Sequence, residues 1–186
     1  MKKWMIIAIS IALLTPLVHA QNHGEVGVFA DYFRLQTTSQ DFGGIGARIS
    51  WNAHPHIAAE AEGAYDFERS RTQLISSGGI SSTTRSNIRV THGLFGAKIQ
   101  WGKQGPVRLF ATAKAGFIRF GINNGPVTLG NAAGGTGRYQ AALYPGGGIE
   151  GFWGWFGLRL DIGDEIFFDR GANSNLKVTL GPHIRF

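Results

Sequence analysis

The chain contains no cysteine, and charged residues make up only 16% of its 186 positions. The missing cysteine excludes a disulfide framework, a thiolate metal site and a cysteine nucleophile. Beyond the first twenty residues there is no apolar run of the roughly 20 residues that a membrane helix needs, so any membrane-spanning structure must be a closed barrel. Enzyme signatures are missing as well. There is no Gly-x-Ser-x-Gly elbow and no His-Glu-x-x-His, and Gly44 with Gly46 is no nucleotide fingerprint because Ile49 stands where a third glycine is required. The formal net charge is +6, yet arginine and lysine are scattered along many segments and form no basic patch, which argues against nucleic acid as a partner.

Glycine is abundant, with 28 residues, and aromatics reach 12%. Glycine disfavours helix interiors and serves barrels at bends and bulges, so the balance points to an all-β protein. At the start, Lys2 and Lys3 precede an apolar run from Trp4 to Leu14, then Pro16 and a Val18-His19-Ala20 ending. This is the pattern of a cleaved secretory signal, which divides the chain into a signal peptide, 1–20, and a barrel domain, 21–186. Without Lys2 and Lys3 the net charge falls to +4.

Period-two alternation is the main structural signal. Leu176, Val178, Leu180, Pro182, Ile184 and Phe186 alternate with Lys177, Thr179, Gly181, His183 and Arg185. From Ile57, Ala59, Ala61, Tyr65 and Phe67 oppose Glu60, Glu62, Asp66 and Glu68, and from Phe156, Leu158, Leu160 and Ile162 oppose Arg159 and Asp161. Around Arg48 the same pattern sets Ile45, Ala47, Ile49 and Trp51 against Gly44, Gly46 and Ser50. Four further strands, near 25–34, 88–101, 107–120 and 138–150, alternate less cleanly, as a bulge or an inward aromatic would cause. Tight connections at 52–56, 102–106 and 151–154 interleave with longer ones at 35–41, 69–87, 121–137 and 169–174. Short periplasmic turns and long extracellular loops are the arrangement of an eight-stranded antiparallel up-and-down transmembrane β-barrel.

Trp51, Trp101, Trp153 and Trp155 fall beside the short turns and Phe186 ends the last strand, giving one membrane-interface girdle. Tyr65, Phe67, Phe117, Phe120, Tyr139, Phe167 and Phe168 gather towards the long loops and suggest a second. The polar faces would aim Arg48, Glu60, Glu62, Lys98, Lys114, Glu150, Arg159 and Asp161 into a lumen just wide enough to be filled by side chains, where they are expected to form an ion-pair network.

The signal, the strand meander and the ending Gly181-Pro182-His183-Ile184-Arg185-Phe186 resemble the outer-membrane protein A-like or OmpX-like eight-stranded outer-membrane barrels. The resemblance implies residence in the cell outer membrane. It also implies that Leu180, Pro182, Ile184 and Phe186 form the C-terminal signal read by the barrel-assembly machinery. Expected partners are outer-membrane lipids, that machinery and a surface ligand at 69–87 or 121–137, with the chain a monomer.

The function expected is structural or surface-interacting, in envelope integrity or adhesion through the loops. A small passive channel is a rival, and so is a barrel-embedded lipid-modifying or proteolytic enzyme using groups near the outer rim such as Asp66, Glu68, His92, Asp164 or Asp169. A soluble lipocalin-like barrel, apolar inside, is a further alternative. His54-Pro55-His56 reads as a polar turn, and neither metal nor cofactor is expected.

Overall fold

The structure, a computed structural model, describes residues 23–77, 80–102, 105–123, 138–169 and 171–186. The segment 1–20, expected to be a signal peptide, and most of the connection 121–137 lie outside them. The strands are β1 (Gly24–Leu35), β2 (Gln40–His54), β3 (Ile57–Ser77), β4 (Ile80–Trp101), β5 (Val107–Asn123), β6 (Tyr139–Trp153), β7 (Phe156–Asp164), β8 (Ile166–Phe168), β9 (Ala172–Asn173) and β10 (Leu176–Arg185). Each of β1 to β6 pairs antiparallel with the next, β7 pairs with β10, and β1 with β10 closes the ring. Eight strands thus form the barrel, while β8 and β9 make a short outer extension of β7.

The register fixes the shape. Starting at Gly151, the pairing runs through Leu158 to Pro182. It crosses to Val28, which lies opposite Pro182 between the Gly27–His183 and Ala30–Leu180 pairs. From there it passes through Ala47, Gly63, Gly93 and Phe117, and returns to β6 at Ala141, ten residues from where it began. Eight strands with that stagger tilt by about 43° and enclose an interior that side chains can fill. Gly181 permits the closing contact of β1 with β10, because a Cβ there would strike the Val28 carbonyl and lie 2.5 Å from Phe29 Cα.

Side chains alternate faithfully, with the large apolar ones outside. Val28, Ile45, Ile49, Phe95, Leu109, Ile162 and Leu180 are each about half exposed or more, whereas Glu60, Lys98, Asp161 and Lys177 are fully buried. A water-soluble barrel with an apolar interior would show the reverse, since soluble monomers do not present a continuous apolar belt. The lipocalin-like alternative is therefore excluded by side-chain direction.

Three sequence expectations need correction. Residues 69–77 and 80–87 are not an irregular loop: β3 and β4 stay paired from Arg69–Ile88 to Ser77–Ile80 as a projecting ribbon. A register shift between Asp66 and Arg69 places an extra residue in β3, which turns Glu68 outward instead of leaving it beside Asp66. Phe120 and Phe167 point into the barrel and are fully buried, so they take no part in an outer girdle.

Candidate functional site in the barrel lumen

The lumen is stacked in tiers, because every second residue of eight strands projects to one axis. Nearest the short turns, Glu25 takes Lys98 Nζ and Arg108 Nη1 at 2.9 Å each, and Lys98 also reaches Glu150 at 2.9 Å. Phe152 lies between two guanidinium groups there, with Arg108 4.6 Å and Arg185 4.4 Å from its centroid.

The middle tier centres on Arg159. Its guanidinium donates to Glu60 at 2.6 and 3.0 Å, to Asp161 at 2.7 Å and to Glu150 at 3.1 Å, while lying 3.9 Å over the Phe110 ring. Lys114 reaches Glu60 and Glu62 at 2.6 Å each, Arg48 reaches Glu62 at 3.0 Å and Thr179 at 3.1 Å, and the Tyr144 hydroxyl donates to Asp161 at 2.7 Å. All eight residues singled out for the lumen thus point inward and join a single chain of contacts. Phe110, on the polar face of β5, supplies the ring under Arg159.

The upper tier contains groups that the sequence reading left at the rim. His92 Nε2 lies 2.9 Å from Asp66 Oδ2 and its Nδ1 lies 2.6 Å from Glu165 Oε1. Lys177 stands 3.2 Å from Glu165, 3.5 Å from Glu62 and 3.6 Å from Asp31. Both ring nitrogens of His92 are engaged by carboxylates, so neither is free to activate a nucleophile. Asp164 accepts from Ser174 Oγ at 2.5 Å and Asn175 N at 2.7 Å, which makes it an anchor for the last outer turn.

Above the charges the lumen becomes apolar. Phe33, Leu35, Phe42, Ile88, Val90, Leu94, Ile118, Phe120, Ala142, Tyr144 and Phe167 form one buried cluster at the outer end. The irregular sequence pattern of β1, β4 and β5 arises here: the strands alternate normally, but their inward positions change from charged to apolar.

Trp51, Trp101, Trp153 and Trp155 are all more than half exposed at the short-turn rim. Phe186 lies at the same rim, with its carbonyl accepting from His23 N and Gly24 N at 2.9 Å. Leu180, Pro182 and Ile184 share the outward face of β10. Tyr65, Phe67, Phe117, Tyr139 and Phe168 are exposed towards the other rim. In the β2–β3 turn, His56 N donates to His54 Nδ1 at 3.4 Å and His56 Nδ1 faces the Gln100 carbonyl at 3.1 Å.

No protein-family model matches the chain, and no curated protein matches its sequence. Solved structures do match. The attachment invasion locus protein Ail of Yersinia pestis, in complex with the heparin analogue sucrose octasulfate, is 13% identical, with a TM-score of 0.53 over 88% of this chain and 96% of that one. Neisserial surface protein A is 12% identical, with a TM-score of 0.52 over 90% of this chain and 100% of that one. With closure, stagger and side-chain direction established, the chain has the fold of the eight-stranded outer-membrane barrels of the outer-membrane protein A-like and OmpX-like type.

Proposed function

We propose that this protein is an integral, monomeric outer-membrane barrel whose role is structural and surface-interacting, with a lumen sealed by its ion pairs. The carrying observation is the direction of the side chains, with the apolar belt outside and the charges inside. Trp51, Trp101, Trp153, Trp155 and Phe186 anchor it at the periplasmic interface, and Leu180, Pro182, Ile184 and Phe186 present the assembly signal. In this reading the chain has no catalytic residue.

A passive channel is disfavoured by burial: a water-filled pore would wet Glu60, Lys98 and Asp161, and all three have no solvent contact. The apolar cluster then closes the outer end. Among the described residues the β3–β4 ribbon is what faces outward beyond the membrane, with Arg69, Arg119 and Arg138 exposed at that end. We assign surface interactions to that end, and a sulfated sugar, the ligand class held by the Yersinia barrel, is the first probe to try.

The test is to fractionate cells and add trypsin to intact ones. The protein is expected in the outer-membrane fraction, extractable only with detergent, with heat-modifiable gel mobility and cleavage at Arg69 and Arg85 from outside. Recovery in the soluble fraction, or complete protection of both arginines, would contradict the reading.

A further inference from the structure

The buried charges in the described lumen do not balance, and the imbalance is local. Eight carboxylates (Glu25, Asp31, Glu60, Glu62, Asp66, Glu150, Asp161, Glu165) face six permanent cations (Arg48, Lys98, Arg108, Lys114, Arg159, Lys177). Glu25 and Glu150 are matched by Lys98 and Arg108. Glu60, Glu62 and Asp161 are matched by Arg48, Lys114 and Arg159. The excess of two negative charges therefore lies in the upper tier, where Asp31, Asp66 and Glu165 have only Lys177 as a permanent cation, with His92 between them.

Asp31 marks where the missing charge belongs. It is 4% exposed and neither carboxylate oxygen has a hydrogen-bond partner, and Asp66 Oδ1 lacks one too. A buried carboxylate whose oxygens accept no hydrogen bond is disfavoured unless a further cation reaches it. Ligand atoms from Asp31, Asp66 and His92 all lie within 4.8 Å of one another. Lys177 approaches Asp31 through Oδ2, and Oδ1 is buried without a hydrogen-bond partner.

We propose that Asp31, Asp66 and His92 form a binding site for one divalent transition ion of the zinc type. Two carboxylates and one imidazole are a zinc donor set that leaves a fourth position open. Tetrahedral bonds of about 2.0–2.2 Å put ligand atoms about 3.4 Å apart, so modest rotations of the two aspartates, with the Asp66 oxygen moving outward from its present 2.9 Å to His92 Nε2, complete the site. Glu165 accepts the Nδ1 proton of His92 at 2.6 Å, which fixes the tautomer that directs Nε2 at the ion, as carboxylates beside metal-bound histidines do. Two positive charges then cancel the local excess of two with His92 neutral. The ligands come from β1, β3 and β4, so the ion would tie three strands together directly beneath the apolar seal. This site is separate from the His54–His56 turn, and it does not depend on whether the outer loops bind a partner.

The test uses the whole folded barrel in detergent, stripped of metal and given zinc alone, with heat-modifiable mobility certifying folding. We expect about one zinc per chain to survive gel filtration and to raise the thermal midpoint, unchanged in the His54→Ala/His56→Ala variant. Asp31→Asn should abolish retention while folding normally, because it removes the unmatched charge and keeps the shape; Asp66→Asn is the second such variant. Glu165→Gln should weaken binding by about 10–100-fold. Absence of zinc from the wild type, or equal retention by folded Asp31→Asn and Asp66→Asn barrels, would overturn the proposal and leave the excess charge to be neutralised by protons.

Discussion

Arg159→Met is expected to lower the unfolding free energy by about 3–5 kcal/mol, because it leaves carboxylates buried without their main cation. Arg159 has four hydrogen bonds to Glu60, Glu150 and Asp161 and is nearly inaccessible to solvent. Lys114 and Arg48 would remain against Glu60, Glu62 and Asp161, one cation short in a tier where water cannot enter. The loss measures an unmatched charge, not the net value of the pairs, since an intact buried network offsets its own desolvation only in part. Adding Glu60→Gln should therefore recover a coupling energy of about 0.5–3 kcal/mol. Urea titration of refolded protein in lipid or detergent reads both effects. Equal midpoints for wild type and Arg159→Met would remove the network from the account.

The neighbouring position should respond in the opposite sense to the same side chain. Leu160 stands in the middle of β7 on the outer face, 41% exposed, while Arg159 on the inner face is 3% exposed in its side chain. Leu160→Arg would put a guanidinium in hydrocarbon near mid-depth, at a cost of about 2–4 kcal/mol, falling towards 0–1 kcal/mol for the same change at a rim position such as Phe156. In a soluble barrel an arginine at an exposed site would be nearly neutral. Depth dependence is thus the informative part. Urea midpoints in bilayers should fall most for Leu160→Arg and least for Phe156→Arg, and a flat series would point to a wetted surface.

Most of the fold was legible because a closed barrel repeats a period of two and sorts its residues by face. β2, β7, β10 and the first half of β3 alternate so plainly that their inward and outward sets follow from the residues alone. The ambiguity of β1, β4 and β5 had a physical source. Their inward positions run from Glu25 to Phe33 and Leu35, and from Lys98 to Val90 and Ile88, as the lumen passes from ion pairs to the apolar seal. No period changes there, only chemistry, and a test based on polarity takes this for a break. Glu68 was misplaced because a one-residue bulge leaves no mark in composition. The ribbon at 69–87 was hidden by its serines and threonines, which suit an exposed strand as well as a loop. The upper tier was legible only in fragments: Asp66 and His92 stand near the right height, but Asp31, Glu165 and Lys177 come from distant segments that only the stagger brings together.

The central claim concerns direction, and a chain with no cysteine allows it to be measured directly. Single cysteines at Ile49, Leu160 and Leu180, against Ser50 and Thr179, can be placed in the barrel folded into bilayers. The outward three should react with a membrane-soluble thiol reagent, and their fluorophores should be quenched by lipids carrying nitroxides on the acyl chains. The inward two should stay unreactive until the protein is unfolded. If Ser50 and Thr179 were the reactive, lipid-quenched sites, or if all five were freely labelled from water, the side chains would face the wrong way and the barrel described here would not be a membrane protein.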